Sequence, residues 1–338
     1  MTRFASFAVK VKATYLNRKT IMTRIIACLS AVGLICLGTN VASGQNFPIK
    51  PIRIFAGGAG GSADFAARLI AQGLTGPMGQ PVIVENRPAN VTPDIVARSA
   101  PDGYTIHVTG SVALVAPFLE RVSYDPIRDF SPITIAVSSP LVLVVHPALP
   151  VKSVKDLITL AKSKPGVLNY GNASTGGSAH LSAELFKSMA NINITMIPYR
   201  AAAPALNDTL SGELQVLFSN DDSLKAHLAS GRLRALAVTS AKPTALFPGL
   251  PTMASEGVPG YESASILGLW APAGTPTSII NRFNEEILRV LSKPDVKEKF
   301  YSIGTEVVGS SPEEFSAFIK SEMTKWSKVL KGAGIGIQ

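Results

Sequence analysis

The chain has 338 residues, 46% of them hydrophobic and 16% charged, which is enough apolar material for two ordinary domains and too much for a disordered chain. Its net charge of +9 is local: Arg3, Lys10, Lys12, Arg18, Lys19 and Arg24 supply six of the positive charges within residues 1–44, which hold no acid. The remainder mixes both signs without a basic run or interleaved aromatics, which argues against nucleic-acid binding.

The N-terminal segment explains the asymmetry. "NRKTIMTR" is a positively charged lead, "IIACLSAVGLICLG" (residues 25–38) is apolar but short for a bilayer span, and Ala42 and Gly44 are small residues ahead of Gln45. This reads as a secretory signal over residues 1–44, cleaved before Gln45, with Met22 an alternative start to Met1. Both cysteines, Cys28 and Cys36, fall inside it. The processed chain then has no thiol chemistry or disulfide, which fits an oxidising compartment such as a periplasm.

Beyond the signal, "PIRIFA" reads as a strand, "ADFAARLIAQGL" as an amphipathic helix stopped by Gly76 and Pro77, and "PVIVEN" as the next strand. "DIVARSA" is a short helix and "YTIHVTG" a strand, so the order β-α-β-α-β predicts a mostly parallel sheet. "SPITIAVSSPLVLVVHP" gives two strands around a Ser-Ser-Pro break, and "SVKDLITLAKSKPG" a helix capped by Ser153. "VLNYGNASTGGSAHLSAELFKSMA" then repeats the opening unit of strand, small polar loop and helix. Further strands ("ITMIPYR", "LQVLFSN", "RALAVTS") and helices ("APALNDTLSGE", "SLKAHLASG") follow. "GLWAPAGTP" crosses back, and two helices over "TSIINRFNEEILRVLSK" and "PEEFSAFIKSEMTKWSKVLKGAG" close the chain. The repetition predicts two α/β lobes, each presenting a helix N-terminus at the strand C-terminal edge where ligands of open sheets bind. The crossings are expected near residues 142–146 and 267–271.

Two loops carry the candidate chemistry. In "GGSAD", Ser62 is expected to cap a helix while backbone N–H groups of Gly61, Ser62 and Ala63 point outward; in "NASTGGSAH", Ser174, Thr175 and Gly176 do the same, with Ser178 as cap. A free helix N-terminus favours an anion by about 0.3–2 kcal/mol. A dinucleotide reading competes: Gly58, Gly60 and Ala63 spell G-x-G-x-x-A, and Glu85 ends the next strand. Against it, Asp64 would sit beside the pyrophosphate, and no residues suited to hydride transfer follow. There is no G-x-S-x-G and no P-loop. His107, His146 and His227 lack metal-ligand spacing, His180 reads as a helix-start residue packing on its loop, and the pairs Asp221/Asp222 and Glu313/Glu314 read as helix caps. An enzyme acting on a small acid in the same cleft stays open as an alternative, and an NAD(P)-dependent oxidoreductase as a further one.

Twelve segments in fixed order resemble the Bug/TctC substrate-binding proteins of tripartite tricarboxylate transporters. They are "FPIKPIRIF", "GGSADFAARLIAQGL", "GQPVIVENRP", "APDGYTIHV", "SYDPIRDFSPIT", "KPGVLNYG", "AHLSAELFK", "MIPYRAAAPALNDTLSGELQVLF", "GRLRALAVTS", "LPTMASEGVPGYE", "APAGTP" and "KSEMTKWSKVLKGAGI". The resemblance implies an α/β, two-lobed periplasmic-binding-protein fold of the Venus-flytrap type II class. Its lobes would be residues 45–143 with 268–338, and 144–267. It further implies a monomeric, non-enzymatic receptor without cofactor or metal, which clamps a small carboxylate and presents it to membrane transporter subunits or a sensor kinase.

On the first ligand loop of that family fall Gly60, Gly61, Ser62, Ala63 and Asp64, and on the second Asn172, Ala173, Ser174, Thr175 and Gly176. Tyr199 and Ala201 match its Tyr-Lys-Gly…Pro-Ala segment. The chain departs from the pattern at Ala63, where Thr or Ser is usual, at the short "ANVTPD", at the apolar "SVALVAP", and at Ile266, where Trp is common. At Ala63 a side-chain hydroxyl is lost and the backbone N–H must serve; the other three departures predict a ligand with a larger or more apolar distal end than citrate.

Overall fold

The computed structural model describes residues 47–173, 175–220 and 224–336. Cys28, Cys36, the cleavage before Gln45, Ser174, Asp221 and Asp222 lie outside the described residues. The chain divides into the units Met1–Phe47 and Pro48–Gln338, and every element below belongs to the second.

Eleven strands form two sheets among the described residues. The first is ordered β11-β4-β10-β3-β1-β2. It is built from β1 (Ile52–Ala56), β2 (Val82–Asn86), β3 (Thr105–Gly110), β4 (Phe130–Pro140), β10 (Ala264–Pro272) and β11 (Glu306–Val307). Its β2-β1-β3 part is parallel, whereas β10, β4 and β11 join antiparallel. The sheet is therefore mixed, not mostly parallel as the β-α-β order suggests, because the late strand β10 returns beside β3. The second sheet is ordered β7-β6-β8-β5-β9. It comprises β5 (Val142–Val145), β6 (Asn169–Asn172), β7 (Thr195–Pro198), β8 (Val216–Ser219) and β9 (Arg234–Val238). Here β6 runs parallel to β7 and β8, and β5 antiparallel to β8 and β9.

Helix α1 (Ser62–Met78) follows β1 and buries Ala66, Ala67, Ile70, Ala71 and Leu74, the i, i+4 stripe that lays it on the sheet. It continues through Gly76 and Pro77 and ends at Gly79, whose left-handed φ of 67° closes the C-cap. The expected stop at Gly76-Pro77 is thus displaced by one turn. Helix α2 (Thr92–Ala97) follows β2 and α3 (Val112–Leu119) follows β3. The apolar "SVALVAP" stretch therefore forms a helix that its continuous hydrophobicity disguised. Helices α4 (Val154–Ser163), α5 (Ser178–Ala190), α6 (Ala202–Ser211) and α7 (Leu224–Ala229) belong to the second lobe, while α8 (Thr277–Ser292), α9 (Pro294–Ser302) and α10 (Pro312–Gly332) close the chain. Helix α10 starts with a capping box, Ser311 accepting from the Glu314 N–H and Glu314 accepting from the Ser311 N–H, as the acid pair there predicts.

The first lobe is packed around aromatic rings. Trp270 on β10 meets Phe130 and Phe315 edge-on at centroid distances of 5.8 and 4.7 Å. The Phe315 ring sits so close to Gly268 that a Cβ there would lie 2.2 Å from it. Gly73 of α1 lets Val290 of α8 approach, a Cβ at Gly73 falling 2.5 Å from the valine. Each fully buried ring or branched chain contributes about 1.5–3 kcal/mol of apolar transfer free energy.

The lobes join at two crossings. Leu141 alone separates β4 from β5, and residues 239–263 connect β9 to β10. The crossings are bonded to one another: the Leu141 N–H donates to Thr239 Oγ1 at 2.8 Å, and the Thr239 N–H to the Leu141 carbonyl at 2.9 Å. The expected boundaries at 143/144 and 267/268 fall inside β5 and β10. Nor is there a break at Ser138-Ser139-Pro140, since β4 runs through all three.

Candidate functional site

The first loop, residues 57–61, leaves the C-terminal end of β1 and enters α1. Gly58, Ala59, Gly60, Gly61 and Ser62 are exposed. The N-cap is Gly61, not Ser62, with extended φ/ψ of −81° and 169° and no side-chain cap. Ser62 and Ala63 are therefore first-turn residues whose N–H groups have no helical acceptor. Gly61 is not a spare donor, since its N–H turns back to the Gly58 carbonyl at 3.3 Å.

Asp64 is 5% exposed and its carboxylate is engaged from three sides. Oδ2 accepts the Gly60 N–H at 2.9 Å, while Oδ1 accepts Asn86 Nδ2 at 2.8 Å and Arg68 Nε at 2.9 Å. Burial alone would raise its pKa, but the bonds from Gly60, Asn86 and Arg68 outweigh that and hold it below the ordinary carboxylate value. Asp64, expected as a ligand contact, has both carboxylate oxygens bonded within its own lobe.

The second loop, residues 173–177, leaves β6 and enters α5. Its N-cap is Gly177 rather than Ser178, so Ser178 and Ala179 carry N–H groups without helical acceptors. Gly176 is buried, and its N–H donates to Nδ1 of His180 at 3.1 Å, which removes it from the expected anion donors. This bond assigns His180 as a neutral imidazole with the proton on Nε2. Burial drives its pKa below the ordinary value, Lys187 acting in the same sense and Glu184 opposing. Gly176 has φ +78°, and a Cβ there would lie 2.3 Å from Leu119 Cδ1 of α3. The second loop thus lies against the helix that follows β3, the strand beside β1, and the two lobes meet on the side that carries both loops.

Asn172 ends β6 as a 4% exposed side chain, and its carbonyl accepts the Tyr199 N–H at 2.7 Å, so these two sequence-predicted residues are brought together. The Tyr199 hydroxyl donates to Asp208 at 2.5 Å. Burial first, then the Asp208 bond, push it up to about 12. Ala201 is the N-cap of α6, with extended φ/ψ of −156° and 165°. Ala173 is partly exposed, and Thr175 and Ala201 are exposed. Ile266, expected to face the ligand, is 5% exposed and packed in the core.

Sequence reading missed Asn86, the last residue of β2, because a lone asparagine 22 positions from Asp64 carries no local pattern. The other histidines have structural places. His107 is buried in β3, where desolvation pushes its pKa down to about 3, and His146 Nδ1 accepts the Ala148 N–H at 3.3 Å. Among the described residues no group of three His, Cys, Asp or Glu is placed to hold a metal, and no helix is long and apolar enough to cross a membrane. A cavity of about 720 Å³ lined by Pro147, Lys225, Leu233, Arg234 and Phe247 lies at the β9 edge of the second sheet and includes no residue of either loop.

Comparison with known proteins agrees with the geometry. The profile of the tripartite tricarboxylate transporter family receptor, TctC, matches residues 66–335. The chain is 33% identical over 323 residues to BugT of Bordetella pertussis, covering 93% of this chain and 98% of the relative. Among solved structures, R. palustris Rpa4515 with adipate is 37% identical with a TM-score of 0.69, covering 86% of this chain and 99% of that one. MatC from Rhodopseudomonas palustris with bound malate is 26% identical with a TM-score of 0.65, covering 84% and 100%. A chain with two mixed α/β lobes, a glycine-capped helix start on each, and a family match across most of its length belongs to the TctC receptors of tripartite tricarboxylate transporters, the Bug-type solute-binding proteins.

Proposed function

We propose that this chain is exported to the periplasm by cleavage near Gln45 and captures a small carboxylate between its lobes for delivery to tripartite-transporter membrane subunits or a sensor. The observation that carries the ligand class is the pair of helix starts, Ser62-Ala63 on α1 and Ser178-Ala179 on α5. Their N–H groups have no helical acceptor, and the acid in the first turn of α1, Asp64, is paired with Arg68. Two such ends, with the exposed Thr175 preceding the second, hold an anion without a ligand-binding arginine. Adipate and malate in the two R. palustris relatives support the same class. The exposed Val91 and Val112, after the C-terminal ends of β2 and β3, favour a ligand with an apolar body. Leu141 and Thr239 form the hinge about which the lobes close.

A thermal-shift panel of adipate, malate and longer or aromatic acids, each beside its methyl ester, tests this reading. An acid at a hundred times its Kd raises stability by about 2.7 kcal/mol. The ester loses charge-assisted bonds of about 1.5–3 kcal/mol each and is expected to give no shift at the same concentration. Equal shifts for acid and ester would sink the carboxylate assignment. N-terminal sequencing of periplasmic material that retains Cys28 or Cys36 would sink the processing.

A further inference from the structure

We infer that Asn86 is the positioning residue of the first loop, the side chain that sets the α1 N–H groups toward a bound anion and keeps the Asp64 charge away from it. The inference rests on the carboxylate reading above. Asn86 Nδ2 donates to the Gly57 carbonyl and to Asp64 Oδ1, both at 2.8 Å, and its Oδ1 accepts from Arg68 Nη2 at 2.9 Å. One amide therefore ties the end of β1, the first turn of α1 and the second turn of α1 to the end of β2. Asp64 extends the tie to Gly60, which has the left-handed φ of +81°.

Packing does not hold the crest of this loop at Gly58 and Gly60. A Cβ built at Gly58 or at Gly60 meets nothing within 4 Å, so apart from the Gly61 N–H to Gly58 carbonyl bond the loop is shaped by the bonds through Asn86 and Asp64. The residue type is specific as well. Only an amide both donates to a carbonyl and a carboxylate and accepts from a guanidinium, whereas an aspartate at this place would set a second carboxylate against Asp64. Asn86 has no place among the anion donors themselves; it acts through Gly57, Asp64 and Arg68.

The test compares the unsubstituted chain with Asn86→Ala and Asn86→Asp, using amide hydrogen exchange at Gly60 and titration with adipate. In Asn86→Ala the Gly60 amide is expected to exchange at least tenfold faster while Gly176 in the second loop is unchanged, and adipate affinity is expected to fall at least tenfold. In Asn86→Asp the facing carboxylates share a proton only in acid, so Gly60 protection and adipate affinity are expected to recover from pH 8 to pH 5, a recovery Asn86→Ala lacks. Retained Gly60 protection in Asn86→Ala, or lost protection with unchanged adipate affinity, would overturn the inference. If the unsubstituted chain does not bind adipate, that counts against the receptor reading for this acid, and the exchange comparison alone decides whether Asn86 holds the loop.

Discussion

Loop 57–61 and loop 173–177 occupy equivalent places in the two lobes, each between the end of a parallel strand and a helix capped by glycine. The first is exposed and held by charge, with Asp64, Arg68 and Asn86 bonded beneath it. The second is held by burial, with Gly176 pressed against Leu119 and its N–H fixed by a neutral histidine. The difference teaches that the same anion-ready outline is reached by two kinds of restraint, which respond to different perturbations.

The largest expected contrast is steric. Gly176→Ala meets both a left-handed backbone and the Leu119 methyl, and is expected to cost about 2–4 kcal/mol, whereas Gly60→Ala pays only the backbone cost of about 1–2 kcal/mol. Urea unfolding of the two variants measures the gap. A double-mutant cycle of Gly176→Ala with Leu119→Ala assigns the excess to the contact, and zero coupling would show that Leu119 simply moves aside.

Next is the buried charge. Removing Asp64 takes a negative charge from beside the anion site, so electrostatics alone would strengthen adipate binding. Because Asp64 holds Gly60, Asp64→Ala is instead expected to weaken adipate by roughly tenfold, the equivalent of about 1.4 kcal/mol. Calorimetric titration showing tighter binding would reduce the first loop to a bare helix end.

Acidification separates the loops by the order in which they loosen. His180 is neutral in the fold and has a depressed pKa, so its contribution is present above the ordinary histidine value of 6.5 and is lost as pH falls below it. Asp64 is also depressed, but from 3.8, so its contribution persists until pH falls past that value. Exchange at Gly176 is expected to quicken, relative to Gly60, between about pH 6.5 and pH 4. A local probe is needed because His107, titrating at about 3 in the fold, lowers global stability over the same interval, by up to about 1.4 kcal/mol per pH unit.

The smallest contrast concerns ligand choice. With the Asp64 carboxylate engaged by Gly60, Asn86 and Arg68, the first loop has no free carboxylate to pair with an ammonium group, so 2-aminoadipate is expected to bind a few-fold more weakly than adipate. Tighter binding of the amino acid in a competition titration would mean that Asp64 leaves Arg68 and Asn86 to meet the ligand.

The lobes were legible in the sequence because each is a run of apolar strands alternating with helices of 3.6-residue periodicity, and because strand–glycine loop–helix recurs at "GGSAD" and "NASTGGSAH". The antiparallel return of β10 was not, since nothing local in "ASILGLWAP" records its partner. Helix α3 was missed because "VALVAPFL" is apolar all round and contains Pro117, which removes both the polar face and the usual helix signal. At the site, the two loops are legible, but two of the expected donors, Gly61 and Gly176, are spent within their own loops. Serine is a common N-cap, yet in both lobes the preceding glycine takes that place. Whether a donor is spent on its own chain depends on contacts such as Asn86 with Asp64, which are set by the fold and not by neighbours in sequence.

The tryptophans have a consequence for how any of this is observed in light emission. Trp270 lies in the first sheet with its indole Nε1 unbonded among Phe130 and Phe315, and Trp326 on α10 donates its Nε1 to Glu322 at 2.7 Å. The chain has only these 2 tryptophans, so the second sheet carries no indole. Intrinsic fluorescence excited at the indole band is therefore a blue-shifted reporter of the first lobe, and melting confined to the second sheet would be registered by tyrosines such as Tyr170 and Tyr199 instead.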